Sequence, residues 1–260
     1  MFVNPFKKKP KITFWADNEI ISKVYPLVPS NKFIPEWYRK LPQFTDKSNT
    51  VKRCPGIMKY LTHGYIVRTW LDVTIHTDVK HNNIKIEYTE DFRNIGRKNV
   101  FNYFQTSPPI TLMNEGTFGD PNPFPDNTFK RILKWQLGWH AQAPKGFDIW
   151  FAPLQYHFNP NFTATIGMMD SRITEQLNIQ VLWHPTESEV YIPAGTPLVQ
   201  LIPVRREEID HEILYDKDGK NAMRLKEKFA RYWLRDSDRL NFMNEKYFDD
   251  SIDDADRSSK

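Results

Sequence analysis

Residues 144–204 read PKGFDIWFAPLQYHFNPNFTATIGMMDSRITEQLNIQVLWHPTESEVYIPAGTPLVQLIPV, and this stretch decides the fold class. Residues 147–151, 162–169, 177–183, 190–192 and 198–204 are short runs of β-branched, aromatic and aliphatic residues. Such runs, closely spaced with turn-formers between them, predict the strands of a sandwich or barrel-like all-β fold. Immediately upstream, 129–139 (FKRILKWQLGW) extends the series by one strand.

Working outward, residues 12–15 (ITFW) and 64–75 (GYIVRTWLDVTI) each read as a strand. Residues 84–88 (IKIEY) alternate with period two and pair with 64–75 across a loop holding Asn82 and Asn83. Residues 35–41 suit one or two helical turns, with Pro35 and Glu36 at favoured first-turn positions and Trp37 and Leu41 as the buried stripe. Pro55-Gly56 signals a turn. Residues 108–127, rich in Gly and Pro, form a long loop of the kind that is functional or mobile. Near the end the period changes: Ala222, Leu225, Phe229 and Trp233 follow helical spacing over 221–235, after a turn at Gly219. The expected organisation is an N-terminal extension (1–128) packed on a β core (129–206), then a C-terminal amphipathic helix and an acidic tail (207–260).

Composition narrows the function classes. Hydrophobic residues make up only 40% of the 260, but eighteen Phe, eleven Tyr and eight Trp can bury a sizeable core, which excludes disorder throughout. The lone Cys54 excludes an intramolecular disulfide and a cysteine cluster for zinc. With no apolar stretch near 18 residues and no signal-peptide pattern, no membrane span is implied, and a soluble intracellular protein is expected. The net charge of +4 comes with segregated ends: Lys7, Lys8, Lys9 and Lys11 at the start, Asp249, Asp250, Asp253, Asp254 and Asp256 at the close. Such blocks read as solvated tails. A nucleic-acid partner would want basic residues interleaved with aromatics over one surface, so the composition argues against one.

Three segments resemble motifs of the trimeric dUTPases, in the right order over about a quarter of the chain. Pro144-Lys145-Gly146-Phe147 resembles the turn before their second motif. Gly167-Met168-Met169-Asp170-Ser171 resembles the third, and Gly195-Thr196-Pro197-Leu198-Val199-Gln200-Leu201-Ile202 is similar to the fourth. The resemblance implies a dUTPase-like β-clip and a homotrimer. It places a pyrimidine and deoxyribose site on Gly167, Met169, Asp170 and Ser171, with Gln200 bracing the fold and contacting the site. It gives Asp170 the task of positioning and activating water, a reasonable general-base role for a carboxylate.

Two departures separate fold from chemistry. The family's second motif reads P-R-S-G, whose Arg and Ser engage phosphates. Here the positions read Pro153-Leu154-Gln155-Tyr156, and Leu154 cannot supply a bidentate cation. The family's Gly-rich, Arg-containing C-terminal arm is replaced by Arg205-Arg206-Glu207-Glu208, the Gly219 turn and the helix. Across nearly its full length the chain also resembles an uncharacterised family encoded by tailed phages of marine bacteria and by some bacteria. The segments that carry this are 32–37, 51–55, 144–147, 156–159 and 195–203. That resemblance implies a phage or prophage context, with the protein in the host cytoplasm or the virion.

Further residues carry rival chemistries. His76-Thr77-Asp78 has the H-x-D form that opens an iron facial triad, with His140, His157, His184 or His211 as a distal ligand, and His140 with His157 would suit a cupin-like site. The ordinary reading is turn and strand residues with no metal or other cofactor. Cys54 beside Lys52 and Arg53 could be an activated thiol, against a structural turn. Trp135, Trp139, Trp150 and Trp183 read as core or interface anchors, with a base-stacking platform as the alternative. The sequence therefore leans away from catalysis, toward a binding or structural protein, possible virion component included, with protein partners or self-association. A pyrimidine-nucleotide enzyme or sensor, and a metal-dependent oxygenase on a cupin-like fold, are the alternatives.

Overall fold

The computed structural model describes residues 9–46, 48–89, 108–113, 117, 119, 129, 131–184 and 188–233. The chain divides into two compact units, residues 1–39 with 59–207 and residues 40–58 with 208–260. The first unit holds every described strand: β1 Thr13–Ala16, β2 Val28–Pro29, β3 Tyr65–Arg68, β4 Val73–Asp78, β5 Asn83–Tyr88, β6 Ile110–Leu112, β7 Leu133–Gln142, β8 Phe147–Ala152, β9 Phe162–Ala164, β10 Gly167–Met169, β11 Gln176–Trp183, β12 Glu189–Ile192 and β13 Pro197–Arg205. The described α-helices are α1 Glu19–Val24, α2 Glu36–Lys40, α3 Pro55–Thr62 and α4 Lys220–Trp233. The protein is mainly β, as the strand pattern predicts, with the C-terminal helix in place.

All pairings among the described strands are antiparallel. One sheet runs β1-β7-β11-β9, with β6 added to β7, a second runs β10-β8-β13-β3-β2, and a third β12-β4-β5. Alternation explains what faces inward. In β7 the odd positions Leu133, Trp135, Leu137, Trp139 and Ala141 are buried, and in β11 Leu177, Ile179, Val181 and Trp183 are. Strand β13 is buried on both faces from Leu198 to Ile202, as a central strand should be. The three sheets share one apolar cluster that includes Val67, Ile75, Leu133, Ile149, Trp183 and Leu201. Each large apolar side chain buried there contributes about 1.5–3 kcal/mol.

N-terminal strands are therefore integral to the sheets: β3 pairs β13, β1 and β6 flank β7, and β4 pairs β12. Gly138 lets β1 and β7 close on α1. It has φ +70, and its carbonyl accepts the Asp17 amide at 3.0 Å.

Several expectations need correction. Residues 64–75 make two strands, because Thr69 turns away to exchange hydrogen bonds with the loop before β13, its amide to the Thr196 carbonyl (2.8 Å) and its carbonyl to the Gly195 amide (2.7 Å). Residues 162–169 also split, β9 joining β11 and β10 joining β8. Pro55-Gly56 opens α3 instead of making a turn, Pro standing where a helix needs no N–H. In α2 the buried side chain is Tyr38, while Trp37 is partly exposed. The expected loop at 108–127 yields β6 at its start, and most of it, like the acidic tail, lies outside the described residues. Of the four tryptophans, Trp135, Trp139 and Trp183 are core residues, the last donating from Nε1 to Thr77 Oγ1 at 2.9 Å, and Trp150 is half-buried.

In the second unit, Phe44 and Asn49 form an isolated bridge, with the Arg53 guanidinium 4.5 Å above the Phe44 ring. Cys54 is half-buried, its amide bonded to the Val51 carbonyl and its carbonyl to the Met58 amide, the structural-turn arrangement. Helix α4 is capped by Asp216, which accepts the Asn221 and Ala222 amides. Its inward residue is Ala230, while Leu225 and Phe229 are exposed, against the expected stripe. Among the described residues, no helix is long and apolar enough to cross a membrane.

Candidate functional site

The third-motif residues lie where the two large sheets part. After β9 the chain leaves the first sheet at Thr165, whose amide and hydroxyl both donate to the Gln180 carbonyl (2.8 and 3.2 Å). It then forms β10 at the edge of the second sheet, with Gly167 opposite Phe151 and Met169 opposite Ile149. A tight turn returns it to β11, the Asp170 carbonyl accepting the Ile173 and Thr174 amides (2.9 and 3.2 Å). Between β10 and β11 lies an open groove of about 410 Å³.

Three of the five residues singled out in the sequence line this groove: Gly167, Met169 and Asp170. At Gly167 a Cβ would meet nothing within 4 Å, so this glycine does not serve a close approach of another strand, and the space above it is open. Met169 is buried and belongs to the core. Exposed Ile166, Met168 and Ile173 give the rim an apolar character. Ser171 is spent on the fold, its hydroxyl accepting the Ala143 amide at 3.1 Å. Gln200 lies away from the groove. It is 1% exposed, and its amide nitrogen donates to the carbonyls of Tyr60 (2.7 Å) and His63 (2.5 Å).

Asp170 is surrounded by guanidinium. Arg172 donates from its backbone amide at 2.9 Å, and from Nε and Nη2 at 2.6–3.0 Å, to both carboxylate oxygens. Arg206 Nη2 stands 3.1 Å from Oδ2 and also bonds Asp148 through Nε (3.1 Å) and Nη2. The Arg172 hydrogen bonds, with the charges of both arginines, hold the Asp170 carboxyl far below the usual carboxylate range. The Asp148 carboxylate likewise pushes the Arg206 guanidinium up. A carboxylate held this way is a strong ion-pair partner and a poor proton acceptor.

Sequence reasoning passed over Arg206 as the start of a divergent C-terminal run. Its place follows from register: Val204 faces Asp148, so Arg206, two residues on, reaches Asp148 diagonally on the same face. Of Leu154 and Gln155, where the dUTPase pattern has Arg and Ser, Leu154 caps and Gln155 opens the 3-10 turn Gln155–His157. There the Trp37 indole donates to the Tyr156 carbonyl at 2.8 Å.

The histidines serve other ends. His76 lies between Glu87 (3.4 Å) and Glu189 (3.3 Å) across the third sheet, and Asp78 bonds the His81 ring and amide. His140 bonds Asp17 at 2.7 Å and stacks on Trp15. His157 stacks on Phe33, His184 bonds Thr163 Oγ1 at 3.0 Å, and His211 is exposed. Burial lowers both His157 and His184, keeping them neutral at neutral pH. Among the described residues, no three His, Cys, Asp or Glu side chains converge in a metal-holding group.

No family model matches the chain, and no curated protein does. Among solved structures it is similar to a dUTPase of Staphylococcus bacteriophage 80alpha, in a point-mutant form. The two are 10% identical over 43% of this chain and 99% of that one, with a TM-score of 0.25. A likeness at that level carries no argument about the site.

Proposed function

We propose that this chain is a non-catalytic binding or structural protein, built on a dUTPase-like scaffold and encoded in a phage context. The observation that carries the reading is the double guanidinium clamp on Asp170. The residue that would activate water holds its charge against protonation, and Leu154 offers no phosphate ligand at the family position. The phage context, and with it a place in host cytoplasm or virion, rests on the sequence resemblance. The test is turnover: purified protein with dUTP or dCTP and magnesium should release no pyrophosphate above the protein-free rate. Hydrolysis at ordinary enzymatic rates, lost in Asp170→Ala, would sink the reading.

The exposed apolar rim of Ile166, Met168 and Ile173 supports self-association, which we read as a homotrimer from the motif resemblance. Light scattering that returns a monomer would remove the trimer.

A second reading, a pyrimidine deoxynucleotide sensor with a rebuilt phosphate site, is favoured by Arg172 and Arg206 standing beside the groove. A thermal-shift series decides it, since ligand at a hundred times its Kd adds about 2.7 kcal/mol to stability. No shift at millimolar dUTP or dUMP discards this reading and leaves the first intact.

A further inference from the structure

A second cavity, of about 480 Å³, lies between the turn after β8, strand β9 and the segment joining β12 to β13. Its size falls within the range of small-molecule pockets, about 300–1,000 Å³. None of its lining residues is Asp, Glu, Lys or Arg. What it presents is uncharged hydrogen-bonding chemistry: the amides of Gln155 and Asn159, the hydroxyls of Thr163 and Tyr191, and the His157 ring. Several of these are anchored by the fold. Asn159 Oδ1 accepts the Asn161 amide at 2.9 Å, Thr163 Oγ1 meets His184 Nε2 at 3.0 Å, and the Tyr191 hydroxyl donates to Asp72 at 2.8 Å. An amide or hydroxyl with one partner keeps further donor or acceptor capacity, and anchoring fixes where it points.

At the rim stands Phe158, and its conformation is costly. It has φ 50° and ψ 45°, the left-handed region that bulky side chains avoid, and the residue is 68% exposed. Neither burial nor backbone preference accounts for a phenylalanine there. The surroundings hold it in place nonetheless: the Trp37 ring lies 5.5 Å from it, and the Trp37 indole ties down the turn through the Tyr156 carbonyl. Strain retained by its surroundings, with an apolar ring held out to solvent, is a pattern concentrated at ligand sites.

We propose that this cavity binds an uncharged carbohydrate, with one sugar ring stacked on Phe158 and its hydroxyls bonded by the Gln155, Asn159 and Thr163 walls. A sugar ring has an apolar C–H face that suits the negative face of an aromatic ring, and a belt of hydroxyls that suits amides. A phosphate or carboxylate would enter a pocket without a cation and lose hydration uncompensated. The proposal goes beyond the reading above and does not involve Asp170, so the turnover assay and the sugar assay can fail separately.

The test is saturation-transfer NMR on the full chain with N-acetylglucosamine, galactose, maltose and cellobiose, and with N-acetylneuraminic acid and uridine as comparators. Transfer to the ring C–H protons of at least one uncharged sugar is expected. Phe158→Gly should weaken that binding by about tenfold or more, and Phe158→Tyr should keep it. Glycine accepts the left-handed backbone, so Phe158→Gly should stay folded, with a melting temperature at or above that of the parent. No transfer to any uncharged sugar would overturn the proposal, as would transfer undiminished in Phe158→Gly, or binding of uridine or N-acetylneuraminic acid alone.

Discussion

Replacing Gly138 with alanine puts the packing between β7 and α1 to a quantitative test. Two costs are separable there. The backbone stands at φ +70, and a residue with a Cβ pays about 1–2 kcal/mol to occupy that region. The new Cβ would also stand 2.6 Å from Ile21 Cδ1 and 3.0 Å from Trp70 Nε1. Ile21 and Trp70 are 0% and 3% exposed, so neither can swing away into solvent. Overpacking of this kind costs about 1–3 kcal/mol, which brings the total to roughly 2–5 kcal/mol. Gly195 provides the internal control, with φ +87 and nothing within 4 Å of its Cβ position, so Gly195→Ala should cost only the backbone part. Urea titration followed by tryptophan fluorescence reads both. With a slope of about 2 kcal/mol/M, Gly138→Ala should lower the midpoint by roughly 1–2.5 M, and Gly195→Ala by less than about 1 M. Equal midpoints for the two variants would refute the close-packing argument.

Two other predictions follow from the hydrogen bonds. Gln200→Leu should cost about 1–3 kcal/mol in the same titration, because the Tyr60 and His63 carbonyls lose a buried donor; an unchanged midpoint would mean that water replaces it. For Asp170, whose folded carboxyl sits below its unfolded value, the stability it contributes is complete above the ordinary carboxylate pKa near 4 and disappears as pH falls through the folded value. Melting curves of Asp170→Asn should thus lie below the parent at neutral pH and converge with it in acid; a constant gap across that range would contradict the clamp.

The strand content could be read from the sequence because alternation and aromatic enrichment are local signals. Sheet membership could not. Residues 162–169 carry one continuous β pattern, and only the hydrogen bonds of Thr165 to the carbonyl of Gln180 reveal that the chain changes sheets there. The break at Thr69 likewise depends on partners more than a hundred residues away. At the site, the third-motif pattern led to Gly167, Met169 and Asp170, which do share a groove. It did not lead to Arg206, whose approach to Asp170 is fixed by the β8–β13 register, a relation that no window of sequence contains. Phe158 lay in a segment that the phage-family resemblance includes, but neither its left-handed backbone nor its exposure can be read from its residue type.

Strand β13, central in its sheet between β8 and β3, is also the last strand among the described residues. During synthesis this imposes a schedule. Residues 65–68 emerge early and must wait for more than a hundred further residues before their partner at 197–201 exists, and β8 waits on the same strand along its other side. Such long-range pairing slows folding and leaves apolar strand edges uncovered meanwhile. For the strands of this sheet, the nascent chain is most vulnerable to aggregation just before β13 leaves the ribosome, and its arrival closes both edges in one step.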